Sequence, residues 1–267
     1  MDGAELHASL YTSIEQSLLD DASTRMPRAE VERAIGAAVE RASAGRSDRD
    51  YFELLVMVVF YSGMKADTVT LRETTIKGLL GDWTNVATCG DADVARIVDT
   101  PGMIGNEKKI RACVDNARVF QDIVRKYGSF KAYVATFEPL GDLENLLLLK
   151  EEVQGRFAGL GGVTTYHFLM EIGLDVIKPD RVLMRIMERL GLIERRDQLL
   201  KAILVGRSMA RATNLPIRRI DRVLVAYGQD KTSEFGIERG ICTEDKPRCG
   251  SCGVRTECKV GGALAER

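Results

Sequence analysis

The sequence predicts an all-α protein. Apolar residues recur at helical spacing along almost the whole chain, and only the run around Leu54–Phe60 has a composition that a strand could share. No repeat of 20–50 residues is visible, which excludes solenoids and propellers. The chain has 267 residues, enough for one large domain or two small ones. Its 45% hydrophobic and 29% charged content excludes disordered, collagen-like and low-complexity classes.

The elements follow from the N-terminus. Met1–Leu10 carries Asp2 and Glu5, not the basic-then-apolar pattern of a secretory signal. Val31, Ala34, Ile35, Ala38 and Val39 share one helical face. Through residue 50 there are ten Asp and Glu against six Arg, and this segment is expected to form one or two helices packed on the C-terminal part. Ser47 precedes the acidic turn Asp48–Asp50, the pattern of an N-cap before the apolar stretch Phe52–Tyr61. The length and flanks of that stretch favour a buried helix. Ile110, Val114 and Ala117 form a further helical stripe, and Val182, Ile186 and Leu190 another. Breaks fall at Ala44–Gly45, Gly81–Asp82, Pro101–Gly102, Glu138–Gly141 and Gly155–Gly162. The longest apolar run, Leu54–Tyr61, is too short to span a bilayer. A soluble intracellular protein with no membrane partner is expected.

The net charge of −1 conceals an asymmetry. Residues 181–267 hold 18 Lys and Arg against 11 Asp and Glu, whereas residues 1–180 hold 20 against 28. A basic C-terminal third can face a polyanion, or it can be a solvated helical surface.

Four of the six cysteines crowd near the C-terminus as Cys242-x6-Cys249-x2-Cys252-x5-Cys258. Four thiolates this close can converge on one centre. Spacing alone admits an iron–sulfur cluster, zinc, or unmetallated thiols. Lys246 and Arg248 lie inside the loop, where they could touch phosphate. Cys89 and Cys113 stand alone and read as free thiols.

Between the patterned segments Leu143–Phe157 and Thr164–Ile172 lies Gly159-Leu160-Gly161-Gly162-Val163-Thr164. Glycines permit a tight turn, and a helix starting there presents free N–H groups to a phosphate. The same segment can be a plain helix–helix turn. Asp180 follows seven residues after Gly173, before a helix ending Arg189-Leu190-Gly191-Leu192. Its plain reading is an N-cap, and the helix dipole there favours an ionised carboxylate.

These patterns resemble known families. The cysteine spacing, with Lys246-Pro247-Arg248-Cys249-Gly250-Ser251-Cys252 inside it, looks like the cluster loop of the endonuclease III family of DNA glycosylases. The resemblance implies a structural [4Fe-4S] cluster on Cys242, Cys249, Cys252 and Cys258, and a loop that contacts DNA. The glycine turn followed by Asp180 resembles the helix-hairpin-helix glycosylase signature, which puts Asp180 at the catalytic aspartate position. Gly102-Met103-Ile104, Lys108-Lys109-Ile110 and Asn116-Ala117-Arg118 are similar to the bacterial 3-methyladenine glycosylase I family. Those enzymes place an acidic base-recognition residue in the first of these helices, but Leu54–Phe60 is wholly apolar. They also lack the cluster and the aspartate. Resemblance to one family or the other covers roughly residues 50–258.

The resemblance implies a two-lobed helix-hairpin-helix glycosylase fold. One lobe is residues 50–178, ending in the hairpin. The other combines 179–267, carrying the cluster loop, with helices from 1–49. The substrate cleft is expected between them, with Asp180 at its edge. Breaking an N-glycosidic bond builds positive charge on the sugar, which a carboxylate stabilises while it orients or deprotonates water. The base must first leave the stack of double-stranded DNA. Strand-cutting members carry a lysine in the hairpin's second helix. That position is Val163, and no lysine occurs between Lys150 and Lys178. A monofunctional glycosylase using water is therefore expected. DNA contacts are expected from Gly159, Gly161, Gly162, Thr164, Lys246 and Arg248. Met64 lies at the position of the wedge that fills the hole left by the flipped base. Tyr61, Tyr166 and His167 are candidates for the base pocket. Alkylated adenine leads among substrates, ahead of mismatched or deaminated bases and bulky modified phage bases. The alternative is a non-catalytic iron–sulfur DNA-binding or redox-sensing module. A bacterial-type, nucleoid-associated monomer is expected.

Overall fold

In a computed structural model the described residues are 3–43, 45–230 and 237–261, so Ala44, one of the expected breaks, lies outside them. Fourteen α-helices appear among the described residues, with no strand. They are α1 (Gly3–Ser23), α2 (Arg28–Ser43), α3 (Asp48–Tyr61), α4 (Ala66–Thr70), α5 (Glu73–Leu80), α6 (Trp83–Val86) and α7 (Asp91–Val98). After them come α8 (Glu107–Tyr127), α9 (Phe130–Ala135), α10 (Leu143–Arg156), α11 (Gly162–Glu171), α12 (Arg181–Arg189), α13 (Leu199–Thr213) and α14 (Ile217–Gly228). No helix among the described residues is long and apolar enough to cross a membrane.

The chain divides into two compact units: Gly45–Leu174, and Met1–Ala44 together with Asp175–Arg267. The expected borders lay a few residues later, at 49/50 and 178/179. Hydrogen bonds account for both differences. Asp48 Oδ1 accepts the N–H of Phe130 at 2.8 Å, tying the start of α3 into the middle unit. Arg207 donates to the Asp175 carbonyl at 2.9 Å, and Lys178 N–H to Asp221 Oδ1 at 2.8 Å, tying the loop before α12 to the other unit.

The middle unit is built around α3. Ser47 caps it, accepting from Asp50 N–H while the Asp50 carboxylate accepts from Ser47 N–H. The apolar run that composition left open between strand and helix is a helix because this cap starts it and its whole circumference is covered. Phe52, Leu55, Val58 and Phe60 are all buried. α5, α8, α9 and α11 surround it. A ring cluster joins these helices: Phe120 stacks on Phe130 at 4.9 Å and meets Phe52 and Trp83 edge-on or tilted. Such pairs contribute beyond area burial, about 0.5–1.5 kcal/mol each.

In the other unit α1 lies against α13 and α14, and α2 against α14. The end of α14 approaches α12 so closely that a Cβ at Gly228 would sit 2.5 Å from Val182 Cγ1. Only a glycine fits there.

Phe120→Ala should lower the unfolding free energy by about 3–5 kcal/mol. Trp83, the sole tryptophan, touches Phe120, so urea titration followed by tryptophan fluorescence reads both the loss and the altered local packing.

Candidate functional site

The hairpin joins α10 to α11 in the middle unit. Its glycines differ in what demands them. Gly159 has φ +80°, and a Cβ there would meet Val59 Cγ1 at 3.3 Å, so backbone and packing both require glycine. Gly161 is extended, φ −91° and ψ −178°, with open space where a Cβ would go. As the N-cap of α11 it brings no side chain, so no side-chain cap closes that helix end. Asn106, Ser129, Asp142 and Asp180 cap α8, α9, α10 and α12, whereas α4, α5, α13 and α14, like α11, start without a side-chain cap. The first N–H groups of α11, at Gly162, Val163 and Thr164, are those a helix cannot bond internally.

The turn is clamped from behind by Asn116. Its amide donates to the Ala158 carbonyl at 3.0 Å and accepts the Ala158 N–H at 2.7 Å. Asn116 is 1% exposed, on the otherwise apolar stripe of α8. Lys109, two turns earlier on that stripe's flank, sends Nζ to the carbonyls of Val59 and Ser62 at 2.5 and 2.7 Å. It satisfies the last carbonyls of α3, and burial pushes its ammonium pKa down. Thr164 Oγ1 donates to Ser62 Oγ at 3.2 Å, so this hydroxyl ties the hairpin to the end of α3. A surface pocket of about 790 Å³ lies beside the turn, lined by Gly159, Ala158, Ser62, Lys108, Lys109 and Arg111 among others.

The three aromatic candidates separate. Tyr61 and His167 are neighbours, ring centroids 6.2 Å apart and planes tilted by 55°. His167 Nε2 lies 3.6 Å from Glu171. Tyr166 is buried, with Lys150 Nζ 5.8 Å over its ring. Adjacent helical residues point about 100° apart, and here Tyr166 is buried beside Lys150 while His167 is half-buried beside Tyr61. Met64 is half-buried in the loop between α3 and α4.

Asp180 lies in the other unit and caps α12. Its Oδ1 accepts from Val182 and Leu183 N–H at 2.9 and 3.2 Å. Its Oδ2 has Lys178 Nζ 3.9 Å away, and the side chain is a quarter exposed. One oxygen is thus held by two amides, while the other faces Lys178. Below the loop lies Asp221 of α14, 3% exposed, accepting the Lys178 N–H at 2.8 Å. Burial raises its pKa to about 6; the Lys178 N–H and Arg218 oppose the shift and the Asp180 carboxylate adds to it.

The four C-terminal cysteines line one small pocket with Ile241, Pro247 and Val260. All are free thiols. Tyr227 donates its hydroxyl to Cys252 Sγ at 2.9 Å, and Arg189 donates to Cys242 Sγ at 3.4 Å. As placed, no group of three or more His, Cys, Asp or Glu among the described residues could hold a metal ion. Arginines hold this irregular loop together. Arg185, 3% exposed, bonds the carbonyls of Cys242 and Gly228, and Arg189 those of Thr243 and Glu244. Arg248, expected to reach phosphate, instead grips both oxygens of Asp21 at 2.7 and 3.0 Å. That pairing holds the Asp21 carboxyl below its usual range. Lys246 is exposed, at φ +51°.

Asn116, Lys109, Asp221, Glu171 and Tyr227 had no expected role. For Asn116 and Asp221 the signal was available: each is a polar residue on a stripe that is otherwise core. Asp221 follows Ile217 and Ile220 and precedes Leu224. Lys109, Glu171 and Tyr227 fall into ordinary helical patterns, and only their neighbours reveal them.

The family model for methyladenine glycosylases matches residues 41–155, a region that contains α3 to α9 and most of α10. It stops before the hairpin turn, Asp180 and the four C-terminal cysteines. Among solved structures the chain is similar to endonuclease III trapped as a covalent intermediate with DNA. Identity is 15%, covering 90% of this chain and 99% of that one, with a TM-score of 0.56. It is also similar to the 8-oxoguanine DNA glycosylase of Thermotoga maritima, at 17% identity over 84% and 100% of the two chains and a TM-score of 0.52. For 3-methyladenine DNA glycosylase I from Staphylococcus aureus the values are 21%, 48%, 77% and 0.42. The first two likenesses establish that this all-α chain resembles the helix-hairpin-helix glycosylase fold.

Two outcomes follow from the geometry. Asn116→Ala leaves the Ala158 N–H and carbonyl without their buried partner, and should cost about 2–3 kcal/mol, with faster hydrogen exchange at Ala158. Asp221 binds its proton more tightly folded than unfolded. Its contribution to stability is therefore complete below about pH 4 and lost as pH rises through 6. Relative to Asp221→Asn, the wild type should lose up to about 3 kcal/mol over that window, measured by denaturation at stepped pH.

Proposed function

We propose that this protein is a DNA glycosylase that flips an alkylated base from double-stranded DNA and hydrolyses its N-glycosidic bond, leaving an abasic site. The observation that carries the reading is Asp180, with one carboxylate oxygen fixed by two helix amides, the other facing Lys178, and a quarter of the side chain exposed. A carboxylate so held needs no reorganisation as positive charge grows on the sugar, and its second oxygen can orient and deprotonate water. The uncapped start of α11 supplies the phosphate contact. Its free N–H groups and the open space beside Gly161 suit close approach of a DNA backbone. Lys246 adds an exposed charge. Binding through such contacts weakens as salt rises.

The substrate reading rests on the family match over residues 41–155 and on a side-chain group in the middle unit. α3 carries no acid between Leu54 and Phe60. Tyr61 and His167 are neighbours in that group, and Glu171 lies beside His167. Aromatic faces with a nearby carboxylate suit the cationic ring of an alkylated purine.

Water is the nucleophile in this reading. Val163 occupies the hairpin's lysine position, and the amine next to Asp180, Lys178, lies 3.9 Å from its carboxylate as an ion pair.

The same reading gives Cys242, Cys249, Cys252 and Cys258 a [4Fe-4S] cluster. Four free thiols lining one pocket, with an arginine and a phenol donating to two of them, make a donor set that suits thiolate ligation. When bound, the cluster would be a structural cross-link for the loop that carries Lys246. Chemical analysis of anaerobically purified protein should find about four iron and four sulfide per chain, and Cys252→Ser should lose them.

The deciding experiment incubates the protein with alkylated, mismatched, deaminated and phage-modified duplexes and identifies free bases by mass spectrometry. Release of an alkylated base is expected, with no covalent adduct on borohydride treatment. Asp180→Asn should slow release at least about a hundredfold while DNA affinity holds. Intact DNA binding with no free base from any duplex would overturn the reading in favour of a non-catalytic module.

A further inference from the structure

The loop Ile177–Asp180 is held at two points. At its end, Asp180 caps α12. At Lys178, the backbone N–H donates to Asp221 Oδ1, which reaches up from α14. Between them Pro179 fixes its own φ, and the Asp180 N–H turns back to the Lys178 carbonyl at 2.7 Å. Little freedom is left for Asp180 to swing. Asp221 is 3% exposed, and the charged groups that face it are Arg218 from its own helix and Lys178 and Asp180 from the loop. A buried carboxylate is costly unless something compensates it. An asparagine could accept the same Lys178 N–H without that cost, so the charge itself calls for an explanation.

We propose that Asp221 is a positioning residue for Asp180: its buried carboxylate pins the loop that carries Asp180 and sets a second negative charge behind it. This rests on the glycosylase reading of Asp180. The charge on Asp221 reinforces the negative potential at the Asp180 carboxylate. It also adds to the field that stabilises a cationic sugar, through a buried path where screening is weak. Because Asp221 titrates near pH 6, the second charge is present at neutral pH and lost in acid.

Single-turnover release of the alkylated base, measured from pH 5 to 9, tests this with the full-length wild type, Asp221→Asn and Asp221→Ala. Asp221→Asn keeps an acceptor for Lys178 N–H but no charge. It should bind duplex DNA as the wild type does and release base about tenfold more slowly at pH 8. The two rates should converge toward pH 5, where the wild-type carboxyl takes up its proton. Asp221→Ala should be slower still and lose hydrogen-exchange protection at the Lys178 amide, which Asp221→Asn keeps. A gap between wild type and Asp221→Asn that is absent, or equal at every pH, would overturn the proposal while leaving the glycosylase reading intact. A wild type that releases no base would overturn that reading first, and the role of Asp221 with it.

Discussion

Every α-helix ends with backbone groups that it cannot satisfy itself, and the features of this protein that bear on function are arranged around that constraint. Where the chain needs rigidity the orphan groups are closed by side chains. Lys109 takes the last carbonyls of α3, Asn116 takes both polar groups of Ala158, and Asp180 takes the first amides of α12. Where a ligand is proposed to dock, at Gly161, no side-chain cap is supplied. The contrast is energetic as well as geometric. With glycine at the N-cap the missing side-chain bond costs only a few tenths of a kcal/mol, and the close contacts behind the hairpin, Gly159 on Val59 and Asn116 on Ala158, hold its shape without one.

The same constraint governs the distribution of charge. The excess of Lys and Arg over residues 181–267 suggested a surface for a polyanion. Much of it is turned inward instead. The cysteine loop is irregular, so its carbonyls lack ladder partners, and Arg185, Arg189, Arg239 and Arg248 supply the donors. A guanidinium offers five N–H groups in a planar fork, which suits several carbonyls at once. The acidic N-terminal segment answers part of the remainder: Asp21 of α1 pairs with Arg248, and Ser17 accepts the Gly253 N–H at 2.8 Å. α1 is thus the floor on which the cysteine loop rests, a role that no motif in residues 1–49 announces.

Much of the fold was legible. The stripe in α8, the cap at Ser47 and the helix after Asp180 follow from spacing and from local capping chemistry, interactions within a few residues. The site was legible only in part. Asp180 could be read as an N-cap because the cap is local, and the hairpin because glycine has few other reasons to cluster. Tyr166 and His167, by contrast, are neighbours in sequence that face different surroundings. Arg248 could be assigned to phosphate only while Asp21, 227 residues away, was out of view.

By itself, then, the sequence determined an all-α chain, the position of its caps and turns, the spacing of four cysteines and the absence of a lysine from the hairpin's second helix. These depend on residues close along the chain, where geometry is set by helical period and backbone preference. Only the tertiary structure decided which charges are spent internally, that Asn116 and Lys109 brace the hairpin, and that Asp221 is buried beneath the Asp180 loop. Those facts depend on contacts between residues 40 to more than 200 positions apart. Burial and pairing there set the energy of each polar group, and no local pattern records them.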